Sequence, residues 1–364
     1  MRPARLTIDA RHLKTGIGAY TSNLIVNLNQ LQFGPLQILT GSKNVAQLTP
    51  YCQKLSIVNA PIYSIIEQIS IPLTLESNSV LHVPHYNVPL LHRGPLLTTI
   101  HDITHILYQE YADTWKSRLY GLPMMRAAAQ RAAHLFTVSE YSKRKIVETF
   151  RISPDKITVV YNGVGAVFFR SDAEHDPDHL QRHYGISRPY VLYVGSLKPH
   201  KNIETLLRAH AHVAPGQQPD FELVIAGGGK EGKLKLGHLA AQLGIRPIFV
   251  QNASDDDLAD LYRGAQVLVL PSFEEGFGLP IVEAMACATP VICANTASMP
   301  EIAGDAALLF DPRDDRDLAR QLSSVLSSAE RRFSLVQRGL VRAKIFTWQD
   351  TTSRHIPVYD KFAQ

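Results

Sequence analysis

Residues 265–294 read AQVLVLPSFEEGFGLPIVEAMACATPVICA. A largely apolar run, AQVLVLPS (265–272), ends on Pro271 and Ser272; a glycine-punctuated turn follows, then the helical pattern IVEAMACA, then a second apolar run, PVICA (290–294). Runs this short and continuous are those of parallel strands covered on both faces, and the stretch between them is long enough for the crossover helix that parallel pairing requires. Pro280 suits the first helical turn, where a missing N–H costs nothing. One βαβ unit is therefore legible in thirty residues, and two carboxylates, Glu275 and Glu283, flank its turn.

The same alternation runs through the whole chain. A first series of strand candidates comprises LTID (6–9), LQILT (36–40), SVLHV (79–83), LLTTI (96–100), HLFTV (134–138) and ITVVY (157–161). A second comprises YVLYVG (190–195), FELVIAG (221–227), PIFV (247–250), AQVLVLPS and PVICA. The class is α/β, with two doubly wound units expected from 364 residues. Between the series, residues 165–188 lose the apolar period and gain Asp, His and Pro. The boundaries expected are an N-terminal domain over 1–165, a linker over 166–188, a C-terminal domain over 189–344 and a last helix over 345–364. Ligands of such folds sit outside the carboxyl ends of the strands, so a cleft between two facing sheets is the expected site.

Composition narrows the classes further. No segment offers the roughly 18 consecutive apolar residues of a membrane span. The start, MRPARLTIDA, lacks the apolar core of a signal peptide, and three scattered cysteines, Cys52, Cys287 and Cys293, frame no disulfide scaffold or Cys-rich metal site. A cytoplasmic protein in a reducing compartment is expected. Charge is lopsided: residues 1–170 carry 17 Lys and Arg against 9 Asp and Glu, and the remainder 20 against 24. A basic half points either to an anionic partner, such as phospholipid, a lipid pyrophosphate or nucleic acid, or to chance surface variation. Nucleic acid is the weakest candidate, since interleaved aromatics and any recognition motif are missing.

The turn 274–283 has chemistry of its own. Glu275 falls at the carboxyl end of a strand and Glu283 about one turn into the helix. Bare backbone around Phe277, Gly278 and Leu279 offers amides at a helix N-terminus, a setting for phosphate, while carboxylates accept from vicinal hydroxyls. A phosphorylated sugar satisfies both. Helix stabilisation of about 0.3 to 1 kcal/mol is the competing explanation for Glu283. Gly16 and Gly18, after the first strand, open a helix with bare backbone and look like a second phosphate-approach loop. A dinucleotide fingerprint does not fit there, because position 21 is Thr and no acid lies between Asp9 and Glu67 to hold a ribose. Lys201, after a strand and a glycine turn, can present a cation at the same level. His82, His85, His101 and His105 cluster along the chain, but with Asp102 alone among supporting carboxylates they do not make a metal site.

EGFGLPIVEAMACATPVI resembles the E-x7-E signature of retaining glycosyltransferases of family GT4, which have the GT-B fold of two Rossmann-like domains facing across a cleft. GIGAYTSNL (16–24), TTIHD (98–102), TVSEYSKRKI (137–146), ITVVYNGV (157–164), YVGSLKPHKNI (193–203) and IAGGGKEGK (225–233) are similar to the family's other motifs, in the family's order. The resemblance implies hexose transfer from a nucleotide diphosphate sugar, GDP-mannose first and UDP-sugars second, to a glycan or lipid-linked glycan. It implies catalytic roles for His101, Glu275 and Lys201. Donor contacts fall on Gly16, Gly18, Ser196, Lys201, Phe277, Gly278, Leu279 and Glu283, and on the backbone around Gln251, which reads the nucleobase. Many relatives carry Arg where this chain has Ser196, which leaves the second cation open, with Lys198 as the substitute. No cofactor or metal is implied, and the alternative reading is an inactive sugar-nucleotide-binding subunit. The acceptor falls to the N-terminal domain, where residues 111–136 combine Trp115, Leu119, Tyr120, Met124 and Met125 with four Lys and Arg, a pattern suited either to packing or to lying peripherally on anionic lipid. The last helix is expected to cross back to the N-terminal domain.

Overall fold

The computed structural model describes residues 6–13, 15–76, 79–107, 115–170, 177–213 and 221–363. The chain forms two compact units: Met1–Gly163 with Thr347–Gln364, and Val164–Phe346. Strands of the first are β1 (Leu6–Asp9), β2 (Leu36–Thr40), β3 (Lys54–Ile57), β4 (Val80–Val83), β5 (Leu96–Thr99), β6 (His134–Thr137) and β7 (Ile157–Val159), ordered β3-β2-β1-β4-β5-β6-β7. Those of the second are β8 (Tyr190–Val194), β9 (Glu222–Ala226), β10 (Ile248–Val250), β11 (Val267–Leu270), β12 (Val291–Ala294) and β13 (Leu308–Phe310), ordered β10-β9-β8-β11-β12-β13. Every pairing between them is parallel. The winding reverses between β1 and β4 and between β8 and β11, which are the switch points where ligands enter such sheets.

Both sheets follow from covered apolar runs: β1, β2, β4, β5 and β6 are buried along their full length, as are β8, β11 and β12. β3 and β13, absent from the apolar runs read in the sequence, each form one edge of their sheet, with β7 and β10 at the opposite edges. KLSI is only half-covered and LLF is three residues long, so neither carries the continuous signal of a central strand. The stretch read as a linker supplies Phe168 and Leu180 to the core of the second unit.

The last helix, Trp348–Phe362, starts at Thr347, whose hydroxyl accepts the Asp350 N–H at 3.1 Å. It packs on helix Thr15–Gln30 and brings His355 and Tyr359, both fully buried, into the first unit. There a chain of hydrogen bonds assigns its own protons. His355 Nδ1 donates to the Thr351 carbonyl (2.8 Å), so its Nε2 accepts the Tyr20 hydroxyl (2.7 Å). Tyr20 then accepts from Thr99 (3.2 Å), Thr99 from His82 Nε2 (2.9 Å), and His82 Nδ1 from Tyr359 (2.7 Å). Every member is satisfied with both imidazoles neutral, the condition for burying polar groups without a large cost. His82 thus has a structural task.

Two sequence expectations shift here. Gly16 and Gly18 open helix Thr15–Gln30, as expected, but they lie within its first turn. Gly18 is buried, and a Cβ there would collide with the Leu13 carbonyl, so close packing by itself accounts for that glycine. Gly18→Ala is accordingly expected to lower stability by about 1 to 3 kcal/mol in urea unfolding, whatever its effect on donor binding. In the helix Trp115–Arg131, Met124 and Met125 are buried in the core of the unit, so this part of the apolar stripe is used by packing; the side chains of 115–119 lie outside the described residues.

Candidate active site

The second unit gathers its polar groups at the β8–β11 switch point. Past β11, Ser272 is fully buried and its hydroxyl donates to Glu275 Oε1 at 2.7 Å. Lys201 Nζ donates to the same oxygen, also at 2.7 Å, with side chains 18% and 11% exposed for the lysine and the glutamate. Screening is weak at that exposure, so the pair is mutually dependent: removing one partner from a buried pair costs about 3 to 5 kcal/mol. The Ser298 hydroxyl donates to the Glu275 backbone carbonyl (2.9 Å), fixing the main chain as well as the carboxylate.

Lys201 ends the 3-10 turn Pro199–Lys201 after β8, and its N–H donates to the Lys198 carbonyl (2.9 Å). Asn202 follows with a φ of 54°, a conformation asparagine tolerates better than most residues. Its buried amide donates to the carbonyls of Pro271 (2.9 Å) and Pro312 (2.8 Å). The Phe273 N–H donates to the His200 carbonyl (2.9 Å), joining the two loops a second time. Ser272, Asn202 and Ser298 are the supports that sequence reasoning missed. Ser and Asn are common loop residues, and only the fold shows their targets.

Gly278 caps helix Leu279–Ala286 at φ 89°, ψ 52°, a left-handed conformation that glycine adopts without strain, and Pro280 stands in the first turn. Phe277 is buried with its ring edge-on to Phe346, centroids 5.6 Å apart, so its side chain serves the core. Glu283, half-buried in the helix, accepts the Tyr262 hydroxyl at 2.8 Å. Burial pushes its carboxyl up to about 7, against the lowering effect of the Tyr262 hydrogen bond. Burial and, next, the charges of Glu275 and Glu283 hold the Tyr193 and Tyr262 phenols protonated. Ser196 is exposed and its carbonyl accepts the Tyr193 hydroxyl (2.8 Å). Gln251 is exposed just past β10, beside Asn252 at φ 56°. Glu274, which has no assigned role in the sequence, is buried.

In the first unit His101 follows β5, half-buried. Its Nε2 donates to the Pro84 carbonyl (3.2 Å), its ring meets Tyr20 edge-on at 4.8 Å, and its own carbonyl accepts from Ser142 Oγ at 3.3 Å. Burial keeps the imidazole neutral below its ordinary range. Asp102 accepts the Thr104 N–H (2.9 Å), the geometry of a helix cap. At the β1–β4 switch point a pocket is lined by Asp9, Arg11, His12, Thr21, His85 and Asn87. Arg11 is locked there between Asp9 (2.8 Å) and Glu67 (3.0 Å). Among the described residues no group of three or more His, Cys, Asp and Glu is placed to hold a metal.

Known proteins match this arrangement along nearly its full length. The family model described as Glycosyl transferases group 1 covers residues 181–341, and the one described as Glycosyltransferase Family 4 covers residues 74–166. The chain is 34% identical over 286 residues to the O-antigen chain mannosyltransferase B of Escherichia coli, spanning 77% of this chain and 74% of that one. With an O-antigen chain mannosyltransferase of Salmonella typhimurium it shares 27% identity over 266 residues, 72% of this chain and 69% of that one. It also matches longer serotype-specific mannosyltransferases of Escherichia coli, of whose length it spans about a third. Its fold superposes on Anabaena HepE, solved in complex with UDP-glucose, with a TM-score of 0.77, 17% identity and coverage of 98% and 99% of the two chains. The chain belongs to the group 1 glycosyl transferases of glycosyltransferase family 4 and has their GT-B fold.

Proposed function

We propose that this glycosyltransferase moves a hexose, with retention of anomeric configuration, from a nucleotide diphosphate sugar to a glycan or lipid-linked glycan. Mannose from GDP-mannose is the leading donor and a UDP-sugar the second. The mannosyltransferase relatives support the sugar, and the Lys201–Glu275 pair at 2.7 Å is the observation that carries the chemistry. A cation and a carboxylate held rigidly at one switch point suit a reaction in which negative charge grows on a departing diphosphate while positive charge grows on the sugar. Lys201 favours the first and Glu275 positions the sugar and favours the second. The amides at the start of helix Leu279–Ala286 add the dipole of a helix N-terminus for phosphate, and Glu283 accepts from the ribose. His101 hydrogen-bonds the transferred sugar, and the acceptor enters the β1–β4 pocket. The leaving phosphate takes the acceptor proton, so no protein base and no metal is invoked.

A thermal-shift panel of GDP-, UDP- and ADP-sugars tests the donor, since saturation at about 100 times Kd stabilises by about 2.7 kcal/mol. GDP-mannose is expected to give the largest shift and to be consumed in a transfer assay. If no nucleotide sugar stabilises the protein the reading fails, and binding without transfer would identify an inactive subunit instead. Glu283→Ala is expected to weaken nucleotide binding about tenfold in calorimetry, the scale of one lost hydrogen bond to a charged group. Because the carboxylate is the accepting form and burial places its pKa near 7, wild-type affinity is expected to fall as pH drops below about 7, and the variant to lose that dependence.

A further inference from the structure

The helix Ile65–Thr74 presents its apolar stripe to water. At 100° per residue, positions 65, 66, 69 and 73 fall within about 100° of arc, and these Ile, Ile, Ile and Leu side chains are 52 to 82% exposed. The opposite face carries Ile71 and Glu67, both fully buried. Glu67 is the single charged residue of the helix, and it is turned inward to Arg11 (3.0 Å) and Asn87 (2.7 Å), so the outward arc has no charge. Gln68 ties the loop after β4 to the same helix, donating to the Val88 carbonyl (3.2 Å) and accepting the Leu90 N–H (2.7 Å). That brings exposed Leu90 and Leu91 alongside. Single exposed aliphatics are ordinary, but six in one patch mark a surface that is covered in use.

The rim says by what. Arg93, two residues past Leu91, is exposed, and exposed Arg131 donates to the carbonyl of His92 in the same loop. The unit as a whole carries 18 Lys and Arg against 11 Asp and Glu over 1–163 and 347–364. An uncharged aliphatic face with arginines at its edge fits an anionic bilayer, in which the aliphatic groups reach the acyl boundary and the guanidinium groups meet phosphates. A second copy would instead set these arginines against one another across a two-fold contact. We propose that helix Ile65–Thr74 and the 88–91 loop form a docking surface for an anionic lipid bilayer. Arg131 ends the helix Trp115–Arg131, so the surface shares one edge with the segment whose pattern suits either packing or lipid, and the proposal does not depend on the transferase reading.

Sedimentation of the full chain with vesicles, without donor or acceptor, tests it. Wild-type protein is expected to pellet with vesicles of mixed phosphatidylglycerol and phosphatidylcholine. The double variant Ile69→Ser, Leu73→Ser is expected to lose about tenfold or more of that partitioning. Arg93→Gln is expected to lose about fivefold. Both variants alter exposed side chains, and an unchanged melting curve would confirm that they fold. The proposal is overturned if wild type stays in the supernatant, or if the double variant pellets as wild type does. Equal uptake by phosphatidylcholine alone overturns the anionic requirement. A concentration-dependent dimer in light scattering that the double variant abolishes, with no vesicle uptake, assigns the face to a second copy.

Discussion

Glu275→Gln is expected to lower transfer turnover by about 100-fold or more, and Lys201→Met to do the same, because in the proposed chemistry each removes a charge that offsets one developing in the reaction. The reasons lie in the packing. Glu275 is held by Ser272, by Lys201 and, through its main chain, by Ser298, so its carboxylate has little freedom to be replaced by water or by a neighbour. Lys201 is set by the anchored turn that ends at Asn202. Since the two share one short ion pair, the double variant is expected to fall far short of the product of the single losses. The glutamine can still accept from Ser272, which separates loss of charge from loss of support. Single-turnover transfer assays, with circular dichroism melting as the control for folding, decide the matter. Near-normal turnover in either single variant would sink the proposed chemistry.

The second large effect concerns acid. His82 and His355 are fully buried and neutral, with burial pushing His355 down to about 4 and His82 well below its ordinary value. Unfolded histidine titrates near 6.5, so between about pH 6.5 and 4 the unfolded chain binds protons that the folded one refuses. The stabilisation is therefore complete above about pH 6.5 and is lost as pH falls through that window, by about 3 kcal/mol for His355 alone. Both tryptophans, Trp115 and Trp348, belong to the first unit, so their fluorescence follows that unit by itself. Its urea midpoint is expected to drop markedly from pH 7 to pH 5, and His355→Gln to flatten the change. An unchanged midpoint would contradict the neutral, proton-ordered chain.

The central strands, the α/β class and the E-x7-E turn were legible because each signal is local: an apolar run, a glycine at a tight turn, a proline in a first helical turn. β3 and β13 were not, because KLSI is polar at two of its four positions and LLF is a three-residue strand with one exposed position, whereas the equally peripheral β7 and β10 sit in the apolar runs ITVVY and PIFV. Around the candidate site, Glu275 and Lys201 could be picked out as charges at strand ends. That they share one oxygen-centred pair could not, since 74 residues separate them and the contact depends on β8 and β11 being neighbours. His82 was visible only as one of several histidines. Its partner Tyr359 lies 277 residues away on the last helix. Gly18 is ambiguous for the opposite reason: a glycine required by a close backbone contact is written in the same way as one required by a ligand.

The return of Thr347–Gln364 to the first unit has a consequence for synthesis. The second unit, Val164–Phe346, is complete before the ribosome has made the helix that closes the first. Until Tyr359 emerges, His82 and Tyr20 wait with part of their hydrogen-bond chain unmade and the apolar face of helix Thr15–Gln30 uncovered. The half made first is thus sealed last: a chain cut at Phe346 would contain every residue of the second unit, while the first lacked the helix that packs on Thr15–Gln30 and supplies Tyr359.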